Sequence, residues 1–129
     1  MIPAIPGDLQ LEAGDRPLFT GYGDDWVRLG EELIRTPFLL HRDRVSVWAC
    51  EAWEALSLPH LEPVLAAPPE VLLLGSGRRL VFPAVELLEA LAARGVGVEC
   101  MDTRAAVRTY NLLALEGRLV SLAALPPDR

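Results

Sequence analysis

Gly75-Ser76-Gly77-Arg78-Arg79 is the stretch of this sequence best suited to binding chemistry. A Gly-x-Gly turn lets a ligand approach the backbone, a hydroxyl sits inside it, and the two guanidinium groups that follow match a phosphate or carboxylate. The motif falls short of the nucleotide-binding patterns, having neither a third glycine at dinucleotide spacing nor a phosphate-loop lysine. A tight turn with solvated arginines explains the same residues more simply. A second run, Asp102-Thr103-Arg104, continues to Arg108 one helical turn later and adds an acid, a hydroxyl and two arginines. Asp102 or Thr103 also suits a helix cap, the structural account of this run. Where two such loops meet at neighbouring strand ends, a small-molecule anion binder or enzyme using the crevice is the alternative to a protein-interaction module, with a phosphate, a carboxylate or a partner's acidic segment as its guest.

Other chemistries find no constellation. His41 and His60 stand in no context that pairs either with Ser76, and a Gly-x-Ser-x-Gly elbow is absent. Cys50 and Cys100 lie on separate segments without ligand spacing to each other or to the histidines, so two reduced, buried thiols are expected and no metal. Glu51, Glu54, Glu86, Glu89 and Glu99 are scattered along the chain. No catalytic residue and no cofactor is assigned.

The elements that would position the two runs are legible in the second half. Val71-Leu72-Leu73-Leu74 reads as a buried strand ending at Gly75. Pro83 opens a helix to about Arg94, with Val85, Leu88 and Ala92 at helical spacing and Gly95 as its stop. Val96 to Met101 is the next strand, Arg104 to Leu115 the next helix, and Arg118 to Leu125 the last strand, with Asp128-Arg129 expected to fray. On the second helix Tyr110 shares the Ala106–Leu113 face, so its ring should be buried with a satisfied hydroxyl. Asn111 should tie down neighbouring backbone. This β-α-β-α-β order calls for a largely parallel sheet with right-handed crossovers, which sets Ser76 beside Asp102 and Thr103.

The first half reads as short strands: Leu9 and Leu11, Phe19 to Tyr22, Trp26 to Leu29, Phe38 to Leu40, and Val45 with Val47. They extend the sheet or cover one of its faces. Pro59 opens a short helix over His60 to Ala66, and Pro68-Pro69 stops it. At 129 residues, 51% of them hydrophobic and 23% charged, the chain fits one α/β domain over residues 1–129. Its net charge of −6, with every basic residue an arginine, argues against general nucleic-acid binding. The longest apolar runs fall far below the roughly 20 residues of a bilayer span, so no membrane insertion is expected. The first eight residues lack a basic n-region and an apolar h-region, and a cytoplasmic location follows as the expectation. Trp26, Trp48 and Trp53 are read as core or interface anchors.

Several separated motifs together resemble the Mth-like domain family. They are Leu72-Leu73-Leu74-Gly75-Ser76-Gly77, Arg94-Gly95-Val96-Gly97-Val98-Glu99-Cys100-Met101-Asp102-Thr103, Arg108-Thr109-Tyr110-Asn111-Leu112-Leu113 and Glu116-Gly117-Arg118, with Gly21-Tyr22-Gly23 in the first half. That family includes the mitochondrial assembly factor 3 of respiratory complex I and an adipogenesis-associated Mth-like domain protein of animals. The resemblance implies a three-layer α/β fold with a mixed central sheet, flanking helices and an accessory N-terminal β layer. It also implies a non-catalytic assembly or protein-interaction role, with protein partners that include membrane-complex subunits. The chain departs from the family at three places. Ser76 stands where threonine is frequent, Arg104 where many members have glycine, and Val107 where they have cysteine. A thiol role at position 107 is therefore absent, and Arg104 adds charge beside the proposed crevice.

Overall fold

The computed structural model describes residues 16–129. The strand expected at Leu9 and Leu11, and the reading of the first eight residues, lie outside that range. Eight strands and three α-helices are seen among the described residues. Strands β1 (Phe19–Tyr22), β2 (Val27–Leu29) and β3 (Glu32–Ile34) form a small antiparallel sheet. A five-stranded sheet is built from β4 (Phe38–His41), β5 (Arg44–Val47), β6 (Val71–Gly75), β7 (Gly97–Met101) and β8 (Val120–Ala124), in the spatial order β5-β4-β8-β6-β7. Strand β6 runs parallel to both β7 and β8, whereas β4 is antiparallel to β8, so the sheet is mixed. The helices are α1 (Glu62–Leu65), α2 (Val85–Ala93) and α3 (Thr103–Leu115).

Strand alternation splits the interior in two. From β6, Leu73 points to one face, where it meets Phe38, Leu40 and Leu122 of the sheet, Ala106, Val107 and Tyr110 of α3, and Phe19, Val27 and Ile34 of the small sheet. Leu72 and Leu74 point to the other face, against Leu87 and Leu91 of α2, Val64 of α1, and Trp48 and Trp53. Covered on both faces and paired on both edges, β6 reads as an unbroken apolar run. The result is three layers, as expected, and the first half of the chain does both jobs open to it. Strands β4 and β5 extend the large sheet, while β1–β3 cover one of its faces.

Local chemistry accounts for the boundaries. The side chain of Asp102 accepts from the Ala105 N–H at 2.9 Å and so caps α3. Helix α2 begins at Val85 rather than Pro83, because Ala84, with ψ of 141°, is still extended and forms the N-cap. The proline-marked connection is a 3-10 turn, Leu58–Leu61, leading into α1. The final strand is shorter than expected. The terminal pair does not fray: the Arg129 N–H bonds the Pro126 carbonyl at 3.1 Å and its guanidinium bonds the Glu51 carbonyl at 3.3 Å. Buried Pro126 and Pro127 fix that return. Cys50 is buried, but Cys100 on β7 is only half-buried, contrary to expectation, since no further strand among the described residues pairs with that edge.

Candidate functional site

The parallel pairing of β6 with β7 brings the two candidate runs together at the carboxyl ends of these strands. The Ser76 N–H bonds the Met101 carbonyl and the Thr103 N–H bonds the Gly77 carbonyl, both at 2.9 Å. Thr103, fully buried, accepts from the Gly77 N–H at 2.9 Å and donates to the Leu125 carbonyl at 2.7 Å. The Ser76 hydroxyl donates to the Arg79 carbonyl at 2.7 Å and accepts from the Val81 N–H at 3.0 Å. Gly75 is needed for closeness, since a Cβ there would lie 2.8 Å from that of Ala124. Gly77 has φ of 101°, and a Cβ on it would lie 2.7 Å from the Arg129 backbone. The junction is thus sewn together: the N–H groups of Ser76, Gly77, Thr103 and Ala105 and the hydroxyls of Ser76 and Thr103 are engaged inside the protein.

The arginines part company. Arg78 and Arg79 are exposed on the outside of the loop. Arg104 instead reaches the small sheet, donating to the Gly23 carbonyl at 3.1 Å with Asp24 at 4.0 Å. Arg108 donates to the Tyr22 hydroxyl at 2.7 Å. Both guanidinium groups stand over the Tyr22 ring, at 5.8 and 5.9 Å from its centroid. Just past the turn Trp26 lies beside Arg28, 5.8 Å from ring centroid to guanidinium carbon. The tip of the β1–β2 hairpin therefore gathers Tyr22, Trp26, Arg28, Arg104 and Arg108. The sequence placed Arg104 and Arg108 on one helix face, but nothing in their spacing linked them to Tyr22, more than 80 residues earlier.

A second arrangement also escaped sequence reasoning. His41 Nδ1 lies 2.7 Å from the Ser121 hydroxyl, and both residues line a cleft of about 490 Å³ with Arg16, Arg42, Asp43 and Pro68. This cleft sits at the amino ends of β6 and β8, away from the sewn junction. Burial, with the charge of Arg42 adding to it, holds the His41 pKa below its usual value. His–Ser pairing invites a nucleophile reading, yet Ser121 is 1% exposed, and His41 Nε2 has no hydrogen-bond partner among the described residues. With Ser121 buried and no acid hydrogen-bonded to His41 among the described residues, the pair lacks the exposed, activated hydroxyl of a nucleophile and reads as packing. Among the described residues no group of three or more His, Cys, Asp or Glu side chains is placed to hold a metal.

Known proteins match this architecture. The solution structure of a Bordetella pertussis protein described as an Mth938-like domain superposes with a TM-score of 0.75 at 29% identity, covering 98% of this chain and 92% of that one. A Francisella tularensis protein named 13 kDa major membrane protein is 37% identical over 69% of this chain and 68% of its own length. The human assembly factor 3 of the NADH dehydrogenase (ubiquinone) 1 alpha subcomplex is 38% identical over 92% of this chain, which spans 66% of that relative's length. Residues 19–125 match the signature of a protein family of unknown function, DUF498/DUF598. The chain belongs to the DUF498/DUF598 family, and its fold is Mth938-like.

Proposed function

We propose that this protein is a non-catalytic, assembly-factor-like module that works by binding protein partners, subunits of a membrane complex among them. The observation that carries the reading is Tyr22 packed against Arg104 and Arg108 at the exposed tip of the β1–β2 hairpin. Tyrosine, tryptophan and arginine are the side chains that most often dominate protein–protein binding energy, and this tip collects them on a rigid support. The ring and guanidinium groups are already oriented, so little side-chain freedom is lost on docking. The name of the human relative supports the class of partner. A small anion between the two loops has less in its favour, because the Gly77 and Val81 N–H groups and the Ser76 and Thr103 hydroxyls are bonded within the protein.

The test compares two forms of the tagged protein in its native host. Proteins recovered with the wild type are quantified against a Tyr22→Ala/Arg108→Ala form whose fold is checked by circular dichroism. Loss of a hot-spot pair should weaken the specific partner about thirty-fold or more. Equal recovery with both forms would remove the hairpin tip from the reading.

A further inference from the structure

The loop between β6 and α2 has a feature that the protein-binding reading does not use. Leu80, Val81, Phe82 and, at the start of α2, Val85 are 46, 47, 67 and 59% exposed. Directly before them stand Arg78 and Arg79, both exposed and without an ion-pair partner among the described residues. The loop is held in shape rather than loose. Ser76 fastens the Arg79 carbonyl and the Val81 N–H, and buried Pro83 anchors the far side.

We propose that this loop, Arg78 to Val85, seats the protein on an anionic lipid surface, with Leu80, Val81 and Phe82 in the headgroup boundary and the two guanidinium groups on lipid phosphates. Charge complementarity selects the occupant. In a chain of net charge −6, an anionic surface repels most of the molecule and attracts this pair of arginines, which orients the loop toward it. Acidic Glu86 and Glu89 follow on α2 and limit the attraction to the arginine side of the loop. Shape points the same way. Two clefts among the described residues are lined by residues elsewhere, and the apolar side chains of this loop stand exposed to solvent. Four partly exposed side chains on one loop supply only a part of the ~800 Å² that each side of a specific protein complex buries. A bilayer boundary needs no complementary pocket and accepts a small apolar wedge with basic flanks. Such contact is peripheral: no helix among the described residues is long and apolar enough to cross a membrane.

Co-sedimentation with vesicles tests this directly. The wild-type protein should bind vesicles of phosphatidylcholine and phosphatidylglycerol at 7:3 in low salt, release in high salt, and ignore pure phosphatidylcholine. Arg78→Ala/Arg79→Ala should weaken binding about thirty-fold, at about a factor of five for each arginine. Phe82→Ser should weaken it about tenfold or more through lost apolar burial. All three positions are exposed, so the variants should fold, which circular dichroism checks. Arg104→Ala/Arg108→Ala, on the hairpin tip, should bind vesicles like the wild type. Failure of the wild type to bind anionic vesicles in low salt would overturn the proposal. So would undiminished binding by both loop variants, or loss confined to the hairpin-tip variant.

Discussion

Asn111 shows how much one amide holds. Its Oδ1 accepts from the Phe19 N–H at 2.9 Å and its Nδ2 donates to the Phe19 carbonyl at 2.8 Å, so the side chain completes the edge of β1 as a neighbouring strand would. Asn111→Ala leaves both backbone groups of Phe19 unpaired, and should cost about 1–3 kcal/mol, read as a lower midpoint in urea. Next to it in sequence, Tyr110 stands edge-on to Phe19 at 5.6 Å and is 1% exposed. Burial first, then the charge of Asp43, pushes its pKa up to about 12, with Arg16 opposing. A raised pKa means that the fold holds the proton the unfolded chain releases. This stabilisation is complete below pH 10 and is lost as the pH rises toward 12, about 3 kcal/mol in all. Tyr110→Phe should flatten that alkaline decline in a urea titration repeated from pH 9 to pH 12. A slope unchanged by the substitution would assign the decline to other groups.

Among the elements, those with strong periodicity or clear stops were legible in sequence, and those shaped by distant partners were not. Four apolar residues in a row before Gly75 announced β6, and Gly95 and Gly117, both at positive φ, marked the ends of α2 and α3. The fall of Ser76 beside Thr103 followed from crossover handedness alone. Strand β3 went unread because Glu32 and Leu33 face solvent and only Ile34 is buried, so its identity comes from pairing with β2. The arginines were misjudged for a related reason. Helix spacing puts Arg104 and Arg108 on one face, but it cannot say that the small sheet crosses that face and takes both. The β4–β5 hairpin turns on Arg42 and Asp43 at φ of 51° and 66°, without the glycine or asparagine such a turn favours. Arg42→Gly should relieve left-handed strain and raise stability by about 1 kcal/mol, read from the thermal midpoint. A lower midpoint would mean that the Arg42 side chain contributes more than its backbone costs.

At the scale of the molecule, two cores share one sheet. Leu73 serves the core under α3 and the small sheet, and Leu72 serves the core under α2 and the tryptophans. Both side chains are fully buried, so Leu72→Ala and Leu73→Ala should each cost about 2–5 kcal/mol. Because β6 belongs to both cores, neither should melt alone. In a Trp26→Phe background, fluorescence of Trp48 and Trp53, which reports the α2 side, should follow the same urea curve as far-ultraviolet circular dichroism in both variants. Separate transitions would show that the two faces unfold independently.

Strand β8 lies between β4 and β6 although it is the last strand in sequence. On the ribosome, the β4–β5 hairpin is therefore finished some 80 residues before its inner neighbour is made. Until then Phe38, Leu39 and Leu40 have no sheet to join, and β6 has one flank bare. A chain that has not yet reached Val120 exposes an open apolar edge, the kind of surface that holding chaperones occupy. Val120 to Ala124 then give both flanks their ladder partners together.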